Sequence, residues 1–294
     1  MSKKNGAQQY PSNVLKITID NLSNKAFGAR LASGEKTEDE VFESRKKKII
    51  SKITLTNGTG QDVQFTEFDR AVFDVCISEQ AKGNELITPS IIFHQLGGGD
   101  KLTPNMRKAI MESIEKLAGV RGSIDMEECV DKKIIRTKDG KYVFRGYLLP
   151  TESIETSING QNVTAIRFLS KGIIYGIADM KNQIINSQKN LLASPVRATP
   201  RTIAINHYLL RRSLEIKGSK DRSAKNKQFR PLRKIISLQD MCEKCGIPFD
   251  DKSARQDARG SATKILNFFV ENKIIKNFRF EKKDGKIYSI VIDV

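Results

Sequence analysis

An α+β chain in two similar halves is predicted by three observations. One pattern occurs twice: a capped helical run, a further helix with basic residues, then strand chemistry around Lys-Asp-Gly-Lys, at 138–141 and again at 283–286. Asp-Gly between apolar runs is a strong hairpin signal. The length, 294 residues, suffices for two modest cores. Charge is lopsided, with 51 Lys and Arg against 34 Asp and Glu, a formal charge of +17 and a pI near 9.7. A helical trio followed by a hairpin is the winged-helix plan. The predicted fold class is therefore α+β with two tandem winged-helix domains, each a helix-turn-helix plus a β-hairpin wing.

Residues 1–45 are polar and charged, mixing KTEDE with SRKKK, and predict a loosely ordered N-terminal arm with a short strand in VLKITID. The first winged-helix domain, with an extra β-hairpin, is expected over 46–185. It opens on the strand KKIISKITL. A helix begins at Phe65-Thr66-Glu67, with Phe68, Ala71, Val72, Val75 and Cys76 at helical spacing. Thr88-Pro89 and Thr103-Pro104 each place an N-cap before a proline at the first helical position. The second of these starts a helix whose Met106, Ile110, Ile114 and Leu117 share a face. After Gly122 come SIDMEECV, KKIIRT and KYVFRGYLL, which read as strands. Asn159-Gly160 marks the extra hairpin, and Gly172–Gly176 reads as a strand or edge.

Residues 186–198, NSQKNLLASPVRA, predict the linker, and 199–294 the second winged-helix domain. Thr199-Pro200 caps a helix ending near Arg211 and Arg212. A basic insertion at 217–231 has the composition of a mobile, solvated loop; across 211–234 there are ten Lys or Arg and two acids. Ser237 caps a short helix. Asp250 or Asp251 opens the longest one, on which Ala258, Ala262, Ile265, Leu266 and Phe269 face the core.

The charge points to nucleic acid, because clustered cations gather phosphates. No apolar run reaches the roughly 20 residues that cross a bilayer, and no signal peptide opens the chain, so a cytoplasmic location is expected, with no membrane partner. Cys76, Cys129, Cys242 and Cys245 are too few and too irregular for a disulfide framework. They read as packed thiols, with zinc at Cys242-Glu-Lys-Cys245 the minor alternative. No G-x-x-x-x-G-K-[ST] loop cradles a nucleotide. His94 and His207, far apart in sequence, each read as a local packing or surface residue. Asp125, Glu127 and Glu128 read as a solvated strand surface. No catalytic residue, metal or cofactor is expected, and the chain is not expected to be an enzyme.

Double-stranded DNA is the expected ligand. Lys252, Arg255, Gln256, Arg259 and Thr263 fall on the helix face opposite the core stripe, where Arg can pair with a guanine edge and Gln with an adenine edge. Asn105, Arg107 and Lys108 crowd the N-terminal end of the corresponding helix in the first half, where base contacts concentrate. Lys138, Lys141, Lys282, Lys283 and Lys286 at the hairpin tips are expected to touch phosphates. So are Arg211, Arg212, Lys225, Lys227 and Arg230 around the basic insertion.

The FTEFDRAVFDVCISEQ helix after a basic strand, the Thr-Pro-capped helices and the terminal NKIIKNFRFEKKDGKIYSIVI together resemble bacterial plasmid replication initiators of the tandem winged-helix, iteron-binding type, across about residues 45–294. The resemblance implies a protein that binds direct repeats at an origin, opens adjacent A·T-rich DNA and recruits host helicase and polymerase factors. It implies base readout by Arg255, Gln256 and Arg259, secondary contacts from Asn105, Arg107 and Lys108, and a homodimer built on the first module. A long basic insertion departs from the family pattern. A tandem winged-helix transcriptional regulator and a phage-type replication protein remain the alternatives.

Overall fold

The computed structural model describes residues 14–19, 21–34, 36–42, 49–127, 141–158, 161–180, 184–193, 195–225, 231–283 and 286–294. Helices and small antiparallel sheets together make an α+β fold.

The first half begins with β1 (Val14–Thr18), α1 (Asn21–Ala26), β2 (Arg30–Leu31), β3 (Lys36–Phe42), β4 (Ile49–Asn57) and β5 (Val63–Gln64). Described parts of the stretch expected as a loose arm thus hold secondary structure. Leu15 and Ile17 of β1 are buried. Then follow α2 (Glu67–Ala81), β6 (Leu86–Ile87), α3 (Pro89–Gln95) and α4 (Pro104–Gly119). Each of these helices starts where its cap predicts. Thr66 and Asp69 form a reciprocal capping box, with the Thr66 N–H donating to Asp69 Oδ2 at 2.7 Å. Thr88 and Thr103 cap α3 and α4 ahead of their prolines. Buried Met106, Ile110, Ile114 and Leu117 turn α4 onto the core.

Next come β7 (Val120–Glu127), β8 (Lys141–Tyr147), β9 (Thr151–Ile158), β10 (Gln161–Phe168), α5 (Ile173–Met180) and β11 (Ile184–Gln188). Strands β3-β4-β7-β8 form one sheet and β6-β10-β9 another. Strands β9 and β10 pair on either side of Asn159-Gly160, with Ile158 opposite Gln161, as expected. The partner of β8 is β7, with Glu127 opposite Lys141, so the GSIDME run pairs with KYVFRG. The KKIIRT segment and positions 138–140 of the expected turn lie outside the described residues. Of the Gly172–Gly176 segment expected as a strand or edge, residues 173–176 instead open helix α5. Ile173, Ile174, Ile177 and Ala178 are buried at helical spacing, a pattern that a short apolar run shares with a strand. The chain enters α5 through a tight approach: a Cβ on Gly172 would lie 2.0 Å from the Leu148 carbonyl oxygen.

The stretch expected as the linker contains much of β11, which pairs with β1 from Val14↔Gln188 to Thr18↔Ile184, and a 3₁₀ turn at Lys189–Leu192 that buries Leu191 and Leu192. Then come α6 (Pro200–Lys225), β12 (Ile235–Ser237), α7 (Leu238–Lys244), α8 (Lys252–Glu271), β13 (Asn277–Lys283) and β14 (Lys286–Asp293). The longest described helix is α6, at 26 residues against 20 for α8. It runs on through residues 217–225, so this part of the insertion is helix and not loop. Lys, Arg and Ala are good helix formers whatever their charge. The second-half sheet has the order β12-β14-β13, and Ser237 caps α7 as predicted. Buried side chains of both halves meet along α2 and α6.

Candidate nucleic-acid interface

Helix α8 is anchored on one side and open on the other. The Asp251 carboxylate accepts from the N–H groups of Ser253 at 2.8 Å and Ala254 at 3.1 Å, fixing the first turn. Ala254, Ala258, Ala262, Ile265, Leu266 and Phe269 are buried, matching the predicted stripe. Lys252, Gln256, Asp257, Gly260 and Lys264 are exposed, while Arg255, Arg259 and Thr263 are half-buried.

A groove of about 510 Å³ runs between α8 and the β13–β14 pair, lined by Lys252, Arg255, Gln256, Arg259 and Lys282 over Leu238, Phe249 and Ile287. Five of the predicted polar side chains therefore converge from two elements. Arg255 is held in place: its Nη1 donates to the Phe249 carbonyl at 2.6 Å, and its guanidinium lies 5.1 Å from the Phe249 ring centroid. The Thr263 hydroxyl donates back to the Arg259 carbonyl of its own helix at 2.9 Å. In the first half, Asn105, Arg107 and Lys108 are exposed on the first turns of α4, with Lys108 3.8 Å from Glu112.

Lys141 opens β8, Lys283 closes β13, Lys286 opens β14 and Lys225 ends α6, but their side chains lie outside what the structure describes. Lys138, Lys227 and Arg230 lie outside the described residues altogether.

One predicted phosphate contact is corrected. Arg211 is buried: its Nε donates to Glu67 Oε1 at 2.8 Å, Nη2 to Glu67 Oε2 at 3.1 Å, and Nη1 to Glu215 Oε1 at 2.7 Å. A guanidinium so engaged has no access to DNA. Arg212 is half-buried and donates to Glu215 Oε2 at 2.5 Å. The helical period carries Arg211 to the core side of α6, facing α2, because α6 continues well past it.

These arginines belong to a buried charge cluster between α2 and α6. His207 is 0% exposed, with Nδ1 2.9 Å from Glu67 Oε1 and Nε2 3.0 Å from Asp74 Oδ2. It is thus a long-range bridge, and the expected local role is corrected. Asp74 Oδ1 accepts from the Thr18 hydroxyl at 3.2 Å, and Arg70 Nη1 donates to Asn24 Oδ1 at 2.7 Å, tying β1 and α1 to the same cluster. Burial opposes charge on His207, but bonds to Asp74 and Glu67 outweigh it and hold its pKa above the ordinary value. Burial likewise pushes Glu67 up, yet Arg211 and His207 hold it well below the usual carboxylate range. A signal did exist in the sequence. Glu67 and Asp74 are seven apart, and His207, Arg211 and Glu215 are four apart, so each set shares a helix face.

Cys76, Cys242 and Cys245 are buried free thiols, and burial pushes the pKa of each up. Among the described residues no group of three or more His, Cys, Asp and Glu side chains could hold a metal ion, and no helix is long and apolar enough to cross a membrane.

Two solved structures are similar in outline. A selenomethionine crystal structure of domains 2 and 3 of RctB aligns at 11% identity with a TM-score of 0.44, covering 92% of this chain and 96% of that one. A second crystal structure of RctB domains 2–3 aligns at 11% identity with a TM-score of 0.38, covering 90% and 94%. Likeness at this level carries no functional weight. No protein-family model and no curated protein matches the chain.

Proposed function

We propose that this chain is a sequence-specific double-stranded DNA-binding protein that initiates replication of a plasmid or mobile element, binding repeats at an origin and recruiting host helicase and polymerase factors. The observation that carries the reading is the groove between α8 and β13–β14. There Lys252, Arg255, Gln256, Arg259 and Lys282 meet on the open side of a helix whose other side is fixed in the core. A major groove about 12 Å wide admits such a helix, and the strand pair beside it brings Lys282 to the flanking backbone. In this reading the segments 46–185 and 199–294 are two winged-helix domains. The second dominates recognition, and Asn105, Arg107 and Lys108 of the first add contacts. The net charge of +17 supports a phosphate-rich ligand. A homodimer through the first domain belongs to the same proposal.

The test is enrichment of fragments from random duplex DNA, and from DNA neighbouring the coding region, at physiological salt. A tandem direct repeat is the expected product. A single palindrome would transfer the reading to a transcriptional regulator, and absence of any enriched duplex would reject sequence-specific binding.

A further inference from the structure

Gly260 lies in the interior of α8, where glycine is the least favourable residue after proline. Neither backbone conformation nor close packing among the described residues requires it. Its backbone is not in the left-handed region, and a Cβ added there would meet no atom within 4 Å. Gly176 and Gly218 share that freedom inside α5 and α6, but both are half-buried, whereas Gly260 is exposed. It stands one helical turn after Gln256 and one before Lys264, both exposed, and directly beside Arg259 of the groove.

Resting on the DNA-binding reading above, we propose that Gly260 is the point of closest approach between α8 and the floor of the DNA major groove, and so a specificity-determining position. A helix with side chains is about 10–12 Å across and the groove about 12 Å wide, so the absence of one side chain at the centre of the inserted face decides how deeply the backbone seats. Deep seating brings Gln256 and Arg259 within reach of base edges. Non-specific binding, made to phosphates from outside the groove, does not need it.

The experiment compares Gly260→Ala and Gly260→Leu with the unaltered chain, on the duplex that the unaltered chain enriches and on a scrambled duplex. Alanine is expected to raise the thermal midpoint by about 2 °C, as a helix former gained at no steric cost. It is also expected to weaken binding to the enriched duplex by about tenfold, with leucine weaker still, while binding to the scrambled duplex changes by less than about threefold. Enriched-duplex binding by both variants within about threefold of the unaltered chain overturns the proposal. If, in that case, Arg259→Ala still loses discrimination, the DNA reading stands without Gly260. If the unaltered chain enriches no duplex, both fall together.

Discussion

Both ring nitrogens of His207 face carboxylates, whose bonds raise its pKa, and that places a pH dependence in the core. Its folded pKa is raised, so its contribution is fully present below the ordinary value of 6.5 and is lost as pH rises through the folded value. Glu67 and Glu215 have lowered folded values, so their contribution is present above 4.5 and lost as pH falls. The cluster therefore stabilises the fold most between about 4.5 and 6.5. Urea unfolding across pH is expected to show an alkaline decline that His207→Gln removes. His207→Ala is expected to cost about 3–5 kcal/mol, since it strips a partner from buried charge. At the groove, Arg259→Ala is expected to reduce discrimination between the enriched and scrambled duplexes by about 1–3 kcal/mol, whereas Lys282→Ala weakens both alike. Competition binding in which both variants lose affinity uniformly would remove Arg259 from base readout.

The elements that local chemistry dictates were the legible ones. Thr66, Thr88, Thr103, Ser237 and Asp251 each start a helix, and Asn159-Gly160 separates two strands that do pair. The buried face of α8 was also readable from spacing alone, whereas Arg255, Arg259 and Thr263, expected opposite it, flank the core and are half-buried. What failed needed information from elsewhere in the chain. Residues 173–180 offered too short an apolar run to tell helix from strand. β1 depends on β11, which lies far away in sequence. Charge count made 217–225 resemble a loop, although Lys217, Lys220, Arg222, Ala224 and Lys225 are good helix formers, and the same count hid Arg211 inside the core. The end of α6 carries Lys217, Lys220 and Arg222 on helix where a loop was expected, and Lys220 Nζ donates to the Val294 carbonyl at 3.0 Å. Replacing Lys217, Lys225 and Lys227 by Gln is expected to flatten the slope of log affinity against log salt by about 0.9 for each phosphate that is no longer neutralised. A slope equal to that of the unaltered chain would remove these three lysines from the DNA-binding surface.

At the scale of the molecule, the joint between α2 and α6 governs cooperativity. Glu67 and Asp74 meet Arg211 and His207 only while the two helices are together, so the halves should unfold as one unit. Calorimetry is expected to give a single transition, and Arg211→Ala, which leaves Glu67 and Glu215 short of a partner, is expected to split or broaden it. A sharp single transition in that variant would show the joint to be held by apolar packing alone. The same pairing has an order in time. Glu67 and Asp74 emerge from a ribosome well before His207 and Arg211 are made, and β1 emerges long before β11. At roughly 5–20 residues per second, the nascent first half waits on the order of ten seconds for the groups that neutralise it. Through that interval the carboxylates of α2 have Arg70 and Thr18 but lack His207 and Arg211, so complete burial of this helix face is expected to wait for α6.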